Sequence, residues 1–308
     1  MRKFWIDTDT ASDDAVAILM ALRWPDVQVE GISIVCGNMP TEQGGKNASY
    51  TVELCGAQTP VYLGATSPLL RQASYAYFFH GPDGMGGMNY PLAKRPVEKE
   101  HAVDAMIRAF RAASGEITLV TLGPLTNVAT ALKIAPDLIE KIAMVYMMGG
   151  AATTLGNVTP AAEYNIWVDP EAARMVFRSG LPILMVGWEH SRGEAGLDKA
   201  ERDEIRSFHT RYADFVLDCN RQALETNNKW LGDPHLSLPD PVTMAVALDP
   251  TICIQRSRHF VDVETDSELT RGMTVVDELG VLKQPANAEI CWAIDAKRWK
   301  EMLYKTIR

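Results

Sequence analysis

Residues 4–22 read FWIDTDTASDDAVAILMAL. An apolar run leads into Asp7, Asp9, Asp13 and Asp14, and a second apolar run follows directly. The first run suits a buried strand. The second keeps Val16, Leu19, Met20 and Leu22 broadly on one side of a helix over 14–23, which Pro25 stops. The acids therefore fall where a strand ends and a helix begins. In an open α/β sheet that edge is where ligands bind. Carboxylates so close repel one another, so the stretch asks for a positive charge to hold them together.

Working outward, short continuous apolar runs recur along the chain. VEGISIVCG, PVYLG, EITLVTLG, KIAMVYMMGG and LPILMVG read as further buried parallel strands. Helical patterns over 101–113, 125–135 and 170–179 lie between them. The last opens on DPEAA, where Asp169 suits the cap, Pro170 the first helical position and Glu171 the dipole. This order implies a mostly parallel sheet with helices on both faces. After residue 255 the pattern changes. RHFVDVE, GMTVVDE and AEICWAID read as strands of an antiparallel extension, and DAKRWKEMLYKTI as a closing helix. No linker, repeat or low-complexity stretch interrupts the chain, so a single α/β domain over 1–308 is expected.

Composition narrows the function. Of 308 residues, 47% are apolar and 22% charged, as in an ordinary globular protein. The net charge of −9 and the lack of any Lys/Arg run argue against a nucleic-acid or anionic-membrane partner. Cys36, Cys55, Cys219, Cys253 and Cys291 are scattered, with no CxxC spacing, and read as reduced thiols. With no secretory pattern at the N-terminus and no apolar stretch near the ~20 residues of a membrane span, a cytoplasmic location is expected.

The aspartate cluster admits several readings. Helix capping accounts for Asp13 and Asp14 but leaves Asp7 and Asp9 over. A helix–loop–helix calcium loop counted from Asp7 fails, because its sixth position is Ser12 instead of Gly and its twelfth is Ile18 instead of Glu. An aspartyl-phosphate phosphatase begins Asp-x-Asp-x-Thr/Val, but here the fifth residue is Ala11. Its downstream hydroxyl is also missing from MVYMMGG. The remaining reading is a hard divalent cation held by several carboxylates, with one acting as a base. A second strand end must then contribute, and Asp240 in SLPDPVTMAVALDP is the natural donor; its alternative role is a helix cap beside Pro241.

DTDTASDDAVAIL resembles the Asp-x-Asp-x-x-x-Asp-Asp signature of the inosine–uridine-preferring nucleoside hydrolases. The similarity continues in order through VCGN (35–38), HGPDGMGG (80–87), LGPLTNVA (122–129), MMGG (147–150), GNVTPAAEYNIWVDPEAA (156–173) and PDPVTMA (239–245). The resemblance implies a calcium-dependent hydrolase that splits the N-glycosidic bond of ribonucleosides into free base and ribose. It implies that Asp9, Asp14, Asp240 and the main-chain carbonyl of Leu122 hold the ion, and that Asp9 also activates the attacking water. Asp13 would accept hydrogen bonds from ribose hydroxyls. Asn38, Met148, Asn157, Glu163, Tyr164 and Asn165 would line the ribose pocket, and His80 would stand near the base. A homodimer or homotetramer is the implied assembly. A relative that binds nucleosides without hydrolysing them remains the other outcome, beside the phosphatase.

The chemistry fits those residue types. Breaking a ribosyl bond develops positive charge on the sugar, which nearby carboxylates and amide oxygens stabilise. If 163–165 is extended, Glu163 and Asn165 face one side and share a ligand. The sequence departs from the family in two places. Well-known members carry His immediately before the late metal aspartate, where this chain has Pro239, and GWEHSRGEA replaces a Leu-Asp-x-Thr-His pattern. The leaving-group acid must therefore lie elsewhere, with His235, His190 and His80 as candidates, or be replaced by stacking of Trp230 on the base. The other tryptophans read as structural.

Overall fold

The computed structural model describes residues 1–308, except for the side chain of Leu231. Its first half runs β1 (Arg2–Thr8), α1 (Ser12–Arg23), β2 (Val27–Ile34), α2 (Thr41–Leu54), β3 (Val61–Leu63) and the single turn α3 (Tyr77–His80). Next come α4 (Ala102–Ala112), β4 (Ile117–Thr121), α5 (Thr126–Ile134), β5 (Ile142–Met148), α6 (Tyr164–Val168), α7 (Pro170–Phe177) and β6 (Ile183–Val186). Four helices follow: α8 (Lys199–Ser207), α9 (Arg211–Cys219), α10 (Arg221–Leu231) and α11 (Pro239–Leu248). The chain closes with β7 (Cys253–Val263), β8 (Thr274–Asp277), β9 (Ala288–Ile294) and α12 (Ala296–Ile307).

The strands form one nine-stranded sheet in the order β3-β2-β1-β4-β5-β6-β9-β7-β8. All pairs from β3 to β9 are parallel, and β7 runs antiparallel to both β9 and β8. The mostly parallel α/β fold read from the apolar runs is the fold observed. One detail differs. The last strand does not extend the antiparallel edge but enters between β6 and β7, parallel to one and antiparallel to the other.

Two cores lie on the two faces. Phe4 and Ile6 of β1 join α1, α11 and α12 on one side, while Trp5 joins α4, α5 and α7 on the other. This is the two-residue alternation of a strand covered on both faces. The amphipathic pattern expected for α1 is overtaken by its surroundings. Every residue from Ser12 to Ala21 is buried, because α2, α9, α11 and α12 all pack around the helix. The α7 start is as read: the Asp169 carboxylate accepts from Ala172 N at 3.1 Å, with Pro170 in the first turn. Strand order reverses between β1 and β4, so the ends of these two strands flank the crevice where a ligand fits.

Candidate active site

The alternation along β1 separates the aspartates. Asp7 falls on the Trp5 side, where Ser33 Oγ and Asn127 Nδ2 (2.9 Å) donate to its Oδ1. Burial pushes its pKa up to about 7. Asp7 thus ties β1 to β2 and α5 and belongs to the scaffold. Thr8 falls on the opposite side, and its hydroxyl donates to Asp14 Oδ1 at 2.5 Å. Ala11 N–H donates to the other Asp14 oxygen at 2.9 Å, closing the first turn of α1.

Asp14 then stands between two more carboxyls. Asp9 and Asp240 both lie within hydrogen-bonding reach of it. Carboxylate oxygens of Asp13, Asp14 and Asp240 lie within 4.8 Å of one another, and all three residues are buried. The close trio is therefore Asp13, Asp14 and Asp240, with Asp9 attached through Asp14. Among the described residues no lysine or arginine pairs with any of these acids; only His80 approaches, at 3.9 Å from Asp13. Burial raises the pKa of all four, and for Asp9, Asp13 and Asp240 the neighbouring charge of Asp14 raises it further. Such an arrangement must share protons or hold a cation. The donors are all oxygens, as a hard divalent ion requires.

Asp9 is clamped. The Asn38 N–H donates to its Oδ2, and its buried Oδ1 has no partner among the described residues. A Cβ on Gly37 would come 2.0 Å from Oδ2, and one on Gly123 would come 2.9 Å from Oδ1. Both positions must be glycine for the carboxylate to fit. In the sequence these glycines lie inside VCGN and LGPLTNVA, where nothing marks their role.

Above the acids opens a cavity of about 220 Å³, walled by Asp13, Asn38, His80, Leu122, Met148, Asn157, Glu163, Tyr164, Asn165 and Asp240. These are residues the sequence singled out, and they converge from seven separate segments. Asn165 Nδ2 donates to the Leu122 carbonyl at 3.1 Å and contacts Met148 Sδ at 3.1 Å. Asn157 Oδ1 accepts from Tyr164 N at 2.9 Å, and the Tyr164 hydroxyl lies within hydrogen-bond distance of the Gly37 and Ser74 carbonyls.

The expectation that 163–165 is extended does not hold. Glu163 caps α6, accepting from the N–H groups of Asn165 and Ile166, and also from Gly150 N at the end of β5. Burial nevertheless lifts its pKa to about 7. His80 bonds Ser12 Oγ through Nδ1 at 2.7 Å, and burial depresses its pKa to about 3, so it stays neutral.

The other histidines lie apart. His235 Nδ1 meets Asp233 at 2.6 Å, with its Cβ packed near Gly196, and His235 is not among the wall residues. His190 bonds the Cys291 carbonyl at 2.7 Å and is likewise absent from the wall. The wall also holds Phe78, Trp188, Arg192, Asn227 and Trp230. Of these, only Trp230 is a ligand contact expected from the sequence. A wider hollow of about 380 Å³ beside Lys94 and Arg95 lies away from these groups.

A family profile described as inosine-uridine preferring nucleoside hydrolase matches residues 4–301. The pyrimidine-specific ribonucleoside hydrolase RihB of Escherichia coli is 34% identical over 308 residues, which is 100% of this chain and 97% of that one. A solved plant nucleoside hydrolase superposes with a TM-score of 0.94 at 29% identity, covering 99% of this chain and 98% of its own. The purine-preferring ribonucleoside hydrolase from Gardnerella vaginalis gives 0.92 at 31% identity, covering 99% and 98%.

Proposed function

This chain belongs to the inosine-uridine preferring nucleoside hydrolase family, and from that premise we propose that it hydrolyses ribonucleosides at a calcium site with Asp9 as the general base. Hydrolysis of nucleoside N-glycosyl bonds is its reaction class. The observation that carries the finer reading is the buried packing of Asp9, Asp13, Asp14 and Asp240 without a basic partner among the described residues. Asp9, Asp14, Asp240 and the Leu122 carbonyl would hold the ion. When bound, calcium supplies the charge that neutralises the acids, grips ribose hydroxyls and acidifies water.

The chain's own groups do the rest. Asp9 Oδ2 is pinned by Asn38 N–H, which leaves Oδ1 free to take the proton of the attacking water. Asp13, on the cavity wall, accepts from a ribose hydroxyl. Asn157, Asn165 and Glu163 place oxygens around the sugar as its positive charge develops. Neutral His80, with Nδ1 engaged by Ser12, presents its other nitrogen toward the base. Exposed Leu279, Val281 and Leu282, in the β8–β9 connection, support assembly with further copies of the chain.

The test is a panel of ribonucleosides, 2′-deoxyribonucleosides and 5′-monophosphates, run before and after chelation, with free base as the readout. Ribonucleosides should lead. Loss of a hydroxyl leaves a buried partner unpaired at about 1–3 kcal/mol, or roughly 5- to 150-fold. Activity should vanish on chelation and return with calcium. Full turnover in exhaustively chelated protein, or equal rates on inosine and its monophosphate, would contradict the reading.

A further inference from the structure

We propose that Arg192 stabilises the departing base through its exocyclic oxygen, making it a specificity-determining residue for oxo-bases; this rests on the hydrolase reading above. Arg192 is the only lysine or arginine on the cavity wall among the described residues. Its guanidinium carbon lies 4.7 Å from the centroid of the Trp188 ring. Trp188 is itself buried and anchored, its Nε1 donating to the Leu155 carbonyl at 2.9 Å. The ring face thus orients the guanidinium plane.

No carboxylate among the described residues lies within ion-pair distance of Arg192. Asp233, the acid its charge acts on, already accepts from His235 N (3.0 Å) and Nδ1 (2.6 Å). An exposed guanidinium without a partner, fixed on an aromatic face at the rim of a pocket, is a donor fork awaiting an acceptor.

The reaction supplies one. The wall acids Asp13 and Asp240 are buried, whereas Phe78 and Trp230 on the same wall are exposed, and with the buried Trp188 they give an aromatic lining against which a flat base fits. When the C1′–N bond breaks, both bonding electrons leave with the base. The new C1′–O bond forms to water, whose proton passes to Asp9. In hypoxanthine or uracil the negative charge spreads from the ring nitrogen onto the exocyclic oxygens. Two guanidinium N–H groups can donate there, and the base then takes its proton from solvent. Arginine stays charged at all working pH values, so it stabilises the anion and does not act as the acid. Pro239 supplies no proton at the place where relatives carry histidine, and His235 is not on the wall. Leaving-group assistance in this chain therefore shifts from protonation to charge stabilisation.

The experiment compares inosine, uridine and purine riboside, which has the inosine ring system without the oxygen, for wild type, Arg192→Ala and Arg192→Lys. Arg192→Ala should lose about 10- to 100-fold in kcat/KM on inosine and uridine, the range for a charged hydrogen bond, and under about threefold on purine riboside. Arg192→Lys should recover only part of the loss, since the planar fork is gone. Inhibition by ribose alone should be unchanged, which shows an intact fold and sugar site. Where purine riboside is not turned over, its inhibition constant against inosine replaces the rate. Parallel losses on inosine and purine riboside, or no loss on inosine, overturn the proposal. A wild-type protein that releases base from no nucleoside overturns the hydrolase reading instead.

Discussion

Asp9 has a glycine against each oxygen of its carboxylate, and that geometry sets two expectations. Asp9→Ala removes the proposed base and should lower kcat by at least about 10²–10⁴. Near-normal turnover would reduce Asp9 to scaffold. Gly37→Ala is subtler, because its methyl would enter within 2.0 Å of Asp9 Oδ2, an atom already pinned by Asn38 N–H. The carboxylate must move, and a displacement of about 1 Å in a reacting group can cost 10²-fold. Steady-state rates should fall far more than thermal stability, and an unchanged rate would show that the clamp has slack. At this scale the acids and the polar residues of the cavity wall were legible, since carboxylates and amides crowd into short motifs. The glycines' role was not, because it depends on which side chain folds over them. Nor was Arg192, because the acids and the other aromatic residues of its cavity come from distant segments and only Trp188 and Ser191 are near it in the chain. Asp7, left unexplained by helix capping, is sent by strand alternation to the other face.

Helices α3 and α10 meet through an aromatic pair, Phe78 stacked on Trp230 with centroids 5.1 Å apart and planes 8° apart. Trp230 is 63% exposed, so it contributes little to the core. Trp230→Ala should therefore leave the melting temperature nearly unchanged. It should weaken substrate use severalfold, because aromatic contacts bring about 0.5–1.5 kcal/mol. A large drop in stability with unchanged KM would assign the pair to folding. The parallel strands and the capped α7 were readable from continuous apolar runs and from DPEAA. The α2 helix was not, because Gly44 and Gly45 sit within its first half and weaken the helical signal. Their reason is tertiary: a Cβ at Gly44 would come 2.9 Å from Ile34 Cγ2, and one at Gly45 would come 2.6 Å from Leu63 Cδ2. The glycines let the helix lie close on β2 and β3. Helices α8 and α10 escaped as well, since their largely polar sequences offer few apolar positions to mark a face.

For the molecule as a whole, the buried acids tie stability to pH. Asp7 and Glu163, at about 7 against ordinary values of 3.8 and 4.5, keep protons in the folded state that the unfolded chain has released. Stability from these groups falls as pH rises toward and through their folded values, and the Asp9 cluster, also raised, acts in the same direction. His80, depressed to about 3 from 6.5, works the opposite way, but its effect is complete above about pH 6.5. Chelated protein should thus melt lower at pH 8 than at pH 6.5. Calcium at a hundred times its dissociation constant adds about 2.7 kcal/mol at either pH, and its dissociation constant should be smaller at pH 8 because fewer protons compete. Calorimetric melts at the two pH values check this, and equal melting temperatures without metal would contradict it. The sheet's parallel body was legible at this scale, whereas the insertion of β9 was not, because a strand's neighbours in space leave no mark on its own residues. That insertion bears on synthesis. A ribosome delivers β6 first, then β7 and β8, and only near the end the strand that belongs between them. Until then the hydrogen-bonding edge of β6 stands open and the β7–β8 hairpin has no sheet to join, so the nascent chain must wait, exposed along that seam, for its closing strand.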